Sequence, residues 1–327
     1  MISRRAVVGL GATAAASLLT RPAGAQTYPD RPVNLIVPAN AGGSTDVGAR
    51  ILTAIVEKPF GQPIVVVNKV GAGGQVGWTE LARSKPDGYT VGFIVHPGTN
   101  TVVLDPERQA IFTMDSYIPV INHVLDPGVI WVRADSPYKT LKDLLDAAKK
   151  EPHTITASTT GILSDDHLNI LMAEEGTPGA FFRIVHLDGN AVQLKEGLAG
   201  NIIASFDNVS GAVKPIKAGQ ARALAVTDTQ RSKFLPDVPT TVELGYPNHI
   251  SSSARGIAAP KGTPPAIIKK LAEMLEQGMK DPEHVRRLEE QGLGIKILTG
   301  EEHLKFYAEI HEKAKKYVAW AKQRPQK

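Results

Sequence analysis

The chain of 327 residues contains no cysteine. Disulfides, thiolate nucleophiles and cysteine-ligated zinc or iron–sulfur centres are therefore excluded. Past Ala25 there is no apolar run long enough to span a bilayer, which needs about 20 residues, and there are no heptads or low-complexity tracts. The G-x-S-x-G elbow of an α/β-hydrolase is also missing. A strong net charge is lacking too. Lys plus Arg number 37 against 33 Asp plus Glu, a formal +4. Arg4, Arg5 and Arg21 supply most of that excess, and residues 1–25 hold no acid. Without that segment the balance is 37 − 3 = 34 against 33, or +1. Composition thus gives no case for nucleic acid or an anionic membrane as partner.

The N-terminal segment reads as an export signal. Arg4-Arg5 is a basic start, Ala6 to Leu19 a short apolar run, and Ala23-Gly24-Ala25 an A-x-A cleavage site before Gln26. Ser3-Arg4-Arg5 resembles a twin-arginine signal in part, with only Val7 where a bulkier residue is usual; a general secretory signal is the alternative. Either route exports the chain, and a bacterial periplasm is the expected compartment. The remainder, from Gln26, is long enough for two domains with their own cores.

The stretch that organises the chain is Val33 to Asp46, VNLIVPANAGGSTD. Val33, Leu35, Ile36 and Val37 suit a strand buried on both faces of a parallel sheet. Pro38 stops it, because proline cannot donate to the ladder. Gly42 and Gly43 allow positive φ and close approach of a ligand. Ser44 or Thr45 then caps a helix with Asp46 in its first turn, and Val47, Ile51, Leu52 and Ile55 follow at helical spacing. Free N–H groups at such a start favour a carboxylate or phosphate.

Similar units follow. Ile64–Asn68 is a second strand, Val70–Gly77 a glycine turn before a helix, and Pro86–Val95 a turn and a third strand. Alternation of this kind predicts a parallel α/β layer whose carboxyl-end loops bind ligand. His96–Asn100 reads as a turn at that edge. His96 there either touches a ligand or stands in a solvated turn. Tyr117–Ala134 reads as two β runs split by Asp126-Pro127-Gly128, the crossing into a second domain. Ser136-Pro137 opens a helix with Leu141, Leu144, Leu145 and Ala148 on its apolar face. The second domain repeats the pattern. Its strands are Thr154–Ser158, Arg183–Leu187, Ile202–Asn208 and Ala221–Thr227, and its turns are Thr159–Leu168, with Ser164 as cap, and Asp188-Gly189-Asn190. A proline-studded return over 228–248 leads to a strand at Arg255–Pro260. Helices follow from Thr263-Pro264-Pro265, Asp281-Pro282 and Gly300-Glu301. Domain 1 is thus expected at 26–125 plus 230–327, with domain 2 inserted at 126–229, and a hinge and interdomain cleft follow from that connectivity.

Several long motifs in order resemble one family. They are YPDRPVNLIVPANAGGSTDVGAR from Tyr28, FGQPIVVVNKVGAGG from Phe60, PDGYT from Pro86, and ADSPYKTLKDLLDAAK from Ala134. Further on are TTGILSDDHL from Thr159, ARALAVT and RSKFLPDVPTTVELGYP from Ala221 on, and RGIAAPKGTP from Arg255. Together they are similar to the periplasmic solute-binding proteins of tripartite tricarboxylate transporters, the Bug family, over essentially the whole chain after the signal. The resemblance implies an α/β, type II-like periplasmic binding protein fold whose two domains close around a small organic carboxylate. It also implies delivery to integral membrane permease subunits, no catalysis and no cofactor. A monomer is expected. Binding falls on the first loop, Ala39-Asn40-Ala41-Gly42-Gly43-Ser44-Thr45-Asp46, and on the facing loop Thr159 to His167, with Thr159, Thr160, Gly161, Ser164 and Asp165 as contacts. Ala39-Asn40 and Leu187 depart from the aromatic residues many relatives carry, so a more polar, roomier pocket is expected.

Beside these loops, His96, Asp207 and Arg255 are the remaining candidates. Arg255 offers a fork for a carboxylate; the alternative is a structural ion pair with Asp207 or Asp46. Three further readings compete. Ser44, Asp46 and His167 form a triad only if the fold gathers them, and capping explains the first two more simply. Asp165-Asp166-His167 suggests a metal site, but adjacent helical residues point apart. A sensory receptor docking on a kinase is the third class.

Overall fold

The computed structural model describes residues 28–325. The export signal and its cleavage site lie outside them. In chain order the elements are β1 (Val33–Val37), α1 (Ser44–Phe60), β2 (Ile64–Asn68), α2 (Gln75–Arg83), β3 (Thr90–His96) and α3 (Gly98–Leu104). Then come β4 (Tyr117–Arg133), α4 (Leu141–Lys150), β5 (Thr156–Thr159), α5 (Asp165–Gly176), β6 (Arg183–His186), α6 (Asn190–Ala199), β7 (Ala204–Asn208), α7 (Val209–Lys217) and β8 (Ala221–Thr227). The chain closes with β9 (Ser252–Pro260), α8 (Pro265–Met279), α9 (Pro282–Glu289), β10 (Ile295–Leu298) and α10 (Gly300–Gln323).

The strands form one curled sheet in two halves, in the order β2-β1-β3-β9-β4-β7-β5-β6, with β10 and β8 also on β4. β1 pairs in parallel with β2 and β3, and β5 pairs in parallel with β6 and β7. Each half has its own core. In the first, Leu35, Val37, Leu52, Val56 and Phe93 pack with Leu271 and Met279 of α8. In the second, Leu141, Leu144 and Leu145 of α4 pack on Ile130, Phe182 and Phe206. Each such side chain contributes about 1.5–3 kcal/mol on burial.

β4 joins the halves and corrects the expected split at Asp126-Pro127-Gly128. It is one strand of 17 residues. Its first part runs beside β9 as far as the pair Pro127↔Ser252, and from Gly128 on it lies between β7 and β8. Pro127 stands opposite Ser252, the first residue of β9, where the ladder changes partners, so its missing donor interrupts little. Gly128 N–H donates to Ser251 O at 2.9 Å.

Three further differences have local causes. α4 starts at Leu141 rather than Ser136, because Thr140 and Asp143 form a reciprocal capping box, with Asp143 N–H to Thr140 Oγ1 at 3.1 Å and Thr140 N–H to Asp143 Oδ2 at 2.9 Å. His96–Asn100 is not a solvated turn but leads into α3, held by Thr99 Oγ1, which accepts from Val95 N at 3.1 Å. β10 was not expected from sequence. It pairs with β4 only at Ile295↔Val124 and Leu298↔Asn122, too short a run for alternation to show.

Candidate functional site

The parallel strands of both halves deliver their carboxyl ends to one cleft, and a helix start follows each of them. This is where open α/β sheets bind ligands. A cavity of about 280 Å³ lies there. One wall comes from the loop before α1, the Val70–Gly74 loop before α2, and Gly98 and Thr101 of α3. The opposite wall comes from Thr160–Asp165 before α5 and Asp188–Val192 at the start of α6. Asp207, Asn208, Ser253 and Arg255 form the floor between them. The walls approach closely: a Cβ on Gly189 would stand 3.2 Å from Asn40 Nδ2.

The first loop is built from backbone and small side chains. Gly42 has φ +80°, which favours glycine, whereas Gly43 has φ −71° and is the N-cap of α1. No side chain caps this helix, so Ser44, its first residue, is not the cap expected from sequence, and Thr45 follows it inside the first turn. Both face the cavity with Ala39, Asn40, Ala41 and Gly43. Asp46 is turned away from it. Its carboxylate accepts from Gly42 N–H at 2.9 Å and from Asn68 Nδ2 at 2.9 Å, and pairs with Arg50 at 3.0 Å. Burial alone would raise its pKa, but these bonds outweigh it and hold the carboxyl below its usual value. Asp46 and Gly42 thus brace the loop from behind.

On the opposite wall Ser164 does cap α5, accepting from His167 N–H at 3.2 Å. Thr160, Gly161, Ser164 and Asp165 line the cavity; Thr159 is fully buried and hydrogen-bonds His186 Nδ1 at 2.7 Å. Asp166 accepts from Thr160 N–H at 3.0 Å, and His167 Nδ1 accepts from Leu163 N–H at 2.9 Å. Burial, helped by His186 and Arg324, lowers the His167 pKa to about 3. Asp165, Asp166 and His167 therefore serve three separate partners. Asp46 is held by Gly42, Asn68 and Arg50 and His167 by Leu163, so neither stands as a partner for Ser44 and no triad forms among the three.

The floor is a buried polar network. Arg255 is 3% exposed, and its Nη2 pairs with Asp126 Oδ2 at 2.9 Å and donates to Asn208 Oδ1 at 3.2 Å. The ion-pair partner is thus Asp126, not Asp207 or Asp46. Nη1 of Arg255 is buried without a hydrogen-bond partner. Asn208 Nδ2 donates to Asp165 Oδ2 at 2.8 Å. Asp207 accepts from Asn190 Nδ2 at 2.8 Å, from Asn208 N–H at 2.7 Å and from Trp131 Nε1 at 3.4 Å. Burial raises the pKa values of Asp126 and Asp165 and pushes that of Asp207 up to about 7. Burial and the charges of Asp165 and Asp207 raise that of Asp166 well above the carboxylate range.

His96 is outside the cavity. It is fully buried, hydrogen-bonds Asn100, and packs against Tyr307 with ring centroids 3.8 Å apart. Burial lowers its pKa to about 4. Sequence reasoning missed the Val70–Gly74 loop, Asp188–Val192, Asn208 and Arg108 as lining residues. Both loops are glycine turns after strands in the sequence, which is the signal that marks them. Arg108 gave no signal: it reaches the cavity by donating from Nη2 to Ala72 O at 2.5 Å.

Two α/β halves sharing a cleft at the carboxyl ends of their parallel strands define a solute receptor with the periplasmic binding protein fold. The family described as tripartite tricarboxylate transporter family receptor matches residues 48–322, and the chain belongs to that family, whose members are solute-binding receptors and not enzymes. Protein BugT of Bordetella pertussis is 31% identical over 306 residues, covering 93% of this chain and 94% of that one. Among solved structures, R. palustris Rpa4515 with adipate is similar at 26% identity and a TM-score of 0.80, covering 90% of this chain and 97% of that one. MatC from Rhodopseudomonas palustris with bound malate is similar at 25% identity and a TM-score of 0.79, covering 89% and 100%. Among the described residues no helix is long and apolar enough to cross a membrane.

Proposed function

We propose that this protein captures a small organic carboxylate in the cleft and delivers it to the permease subunits of a tripartite tricarboxylate-type transporter. It acts in the periplasm, after export and cleavage behind Ala25. The observation that carries this reading is Arg255: a guanidinium almost wholly removed from water, with Nη1 unpartnered, on the floor of a cavity that helix starts surround. A buried cationic donor left unpaired is costly. A carboxylate oxygen relieves that cost, and the free N–H groups at the starts of α1 and α5 add partial positive charge. The bound malate and adipate of the two neighbours support a ligand of this class. The residues of the two loops and the floor are the binding set, and the two halves of the sheet act as the two domains.

Thermal unfolding of the purified mature protein against mono-, di- and tricarboxylic acids tests the reading. The right acid raises Tm; at 100-fold excess over Kd the gain is about 2.7 kcal/mol. It is recovered unchanged. Conversion of the acid, or no response to any carboxylate, overturns the proposal. Amino-terminal sequencing of periplasmic material checks Gln26 as the first residue.

A further inference from the structure

α10 is rooted in the first half of the molecule and ends on the second. Phe306, Tyr307 and Ile310 pack with Ile36, Trp78 and Ile94 in a core of the first half. The helix runs for 24 residues, about 36 Å at ~1.5 Å per residue. Its later residues pack elsewhere. Tyr317 and Val318 join Leu168, Leu171 and Met172 of α5 in a separate buried cluster, with Trp320 and Ala321 at its edge. Tyr317 OH donates to Glu175 Oε2 at 2.8 Å, and Lys316 pairs with Glu175 Oε1 at 2.7 Å. Just past the helix, Arg324 holds Glu174 with two arms of its fork, Nε to Oε2 at 2.8 Å and Nη2 to Oε1 at 2.7 Å. Nη2 also donates to Phe182 O at 2.5 Å. The Glu174 side chain is 0% exposed and that of Arg324 10%. A bidentate pair this far removed from water fixes geometry as well as adding energy.

The same cluster contains Leu163, which stands in the loop before α5 and lines the cavity. Its φ is +58°, in the left-handed region that leucine seldom adopts. Such a conformation persists only where the surroundings hold it. Leu163 N–H donates to His167 Nδ1 at 2.9 Å, its carbonyl accepts from Thr101 Oγ1 at 2.8 Å, and its side chain packs in the cluster that α10 completes. His167 belongs to the helix that the loop opens. Thr101 of α3 and the end of α10 come from the first half, and these contacts exist in the form in which the walls of the cleft approach each other. We infer that the carboxyl end of α10 is a strap that holds the 160–165 loop in its binding position, with Arg324 and Tyr317 as positioning residues. This deepens the carboxylate-binding reading and rests on it. Loosening the strap lets Leu163 relax and the second half swing away. The form with both walls on the solute is then populated less, and the solute leaves faster.

Calorimetric titration of the purified mature protein with succinate, adipate and citrate is the test, on wild type and three variants. Glu174→Gln combined with Arg324→Gln removes the ion pair without stranding a buried charge. Arg324→Lys keeps the charge and loses the fork. Lys322→Ala is the control, because it breaks only the pairs with Asp105 and Glu107, which stay within the first half. Whichever acid wild type binds, the double variant should bind about tenfold or more weakly, through a faster off-rate. Arg324→Lys should fall between, and Lys322→Ala should match wild type. Ligand-free Tm checks folding, and Arg324→Lys, the milder change, decides if the double variant does not fold. Hydrogen exchange needs no acid. In the ligand-free variant the amides of 160–165 should exchange faster, while those of 39–46 and 188–192 keep their wild-type rates. Equal or tighter binding by the double variant, an equal loss in Lys322→Ala, or faster exchange spread across the second half overturns the proposal. If wild type responds to no carboxylate, the reading on which the strap rests falls instead, and exchange at 160–165 still decides whether α10 holds that loop.

Discussion

Ser44 and Ser164 stand at the starts of α1 and α5, yet only Ser164 is a cap. In the sequence the two look alike: a small loop, a serine, then an acid. What separates them is the glycine pair before Ser44, which puts Gly43 at the N-cap and moves the serine inside the helix. Ser164→Ala should therefore lower stability by about 1 kcal/mol, whereas Ser44→Ala should stay within about 0.5 kcal/mol, both read from denaturant midpoints. Asp207 makes a pH prediction at the same scale. Its carboxyl titrates at about 7 folded against 3.8 as the ordinary value. Between those values the folded state holds a proton that the unfolded state has released, so this group's contribution falls as pH rises from about 4 to about 7. Asp207→Asn removes that slope. Relative to wild type, the variant should be more stable at pH 8 than at pH 4.5, by at most about 4 kcal/mol at ~1.4 kcal/mol per tenfold in proton affinity. Equal Tm differences at both pH values would show that the carboxyl is not buried as described. A sequence marks Asp207 as a polar strand end; it does not show that Asp126 of β4 and Asp165 and Asp166 of α5 come from two other segments to the same floor.

At the scale of elements, the short buried strands were legible because each is a short, mostly apolar run bounded by proline, glycine or polar residues. β1, β2 and β8 match their sequence bounds for this reason. β4 was not legible as one strand. Asp126-Pro127-Gly128 is strong turn chemistry locally, and only ladders on both sides override it. Gly128 is needed there for space: a Cβ would stand 2.4 Å from Thr227 Oγ1 and 2.7 Å from Asn169 Nδ2. Gly128→Ala should cost about 1–3 kcal/mol by overpacking, seen as a lower urea midpoint. A midpoint equal to wild type would mean that β4 bends at this residue with room to spare. Asn169 and Thr227 come from α5 and β8, so no local pattern announces the contact.

At the scale of the molecule, the chain crosses between the halves at β4 and returns to β9 through the 228–248 segment, and both strands pair across the middle of the sheet. The order of strand and turn units alone carries the expectation of an inserted arrangement. The cavity itself was only half legible, because its walls are turns spread from Pro38 to Arg255. The rim of the cleft bears on what the molecule does when it binds. Val70 on one wall is 43% exposed, and Ile162 and Val192 on the other are 56% and 39% exposed. All three line the cavity. Apolar side chains left open on facing walls favour approach of the halves, at about 25 cal/mol for each Å² of apolar surface removed from water. A ligand that ties both walls to the floor adds to that bias only through the contacts it gains in the closed form. The chain has no cysteine, so Val70→Cys and Ile162→Cys place two spin labels without competing thiols. The distance between them should shorten and narrow on addition of a ligand found by thermal shift, and the radius of gyration from small-angle scattering should fall with it. Unchanged distances at saturation would mean a cleft already formed for its ligand, and β4 would then be a rigid bridge rather than a hinge.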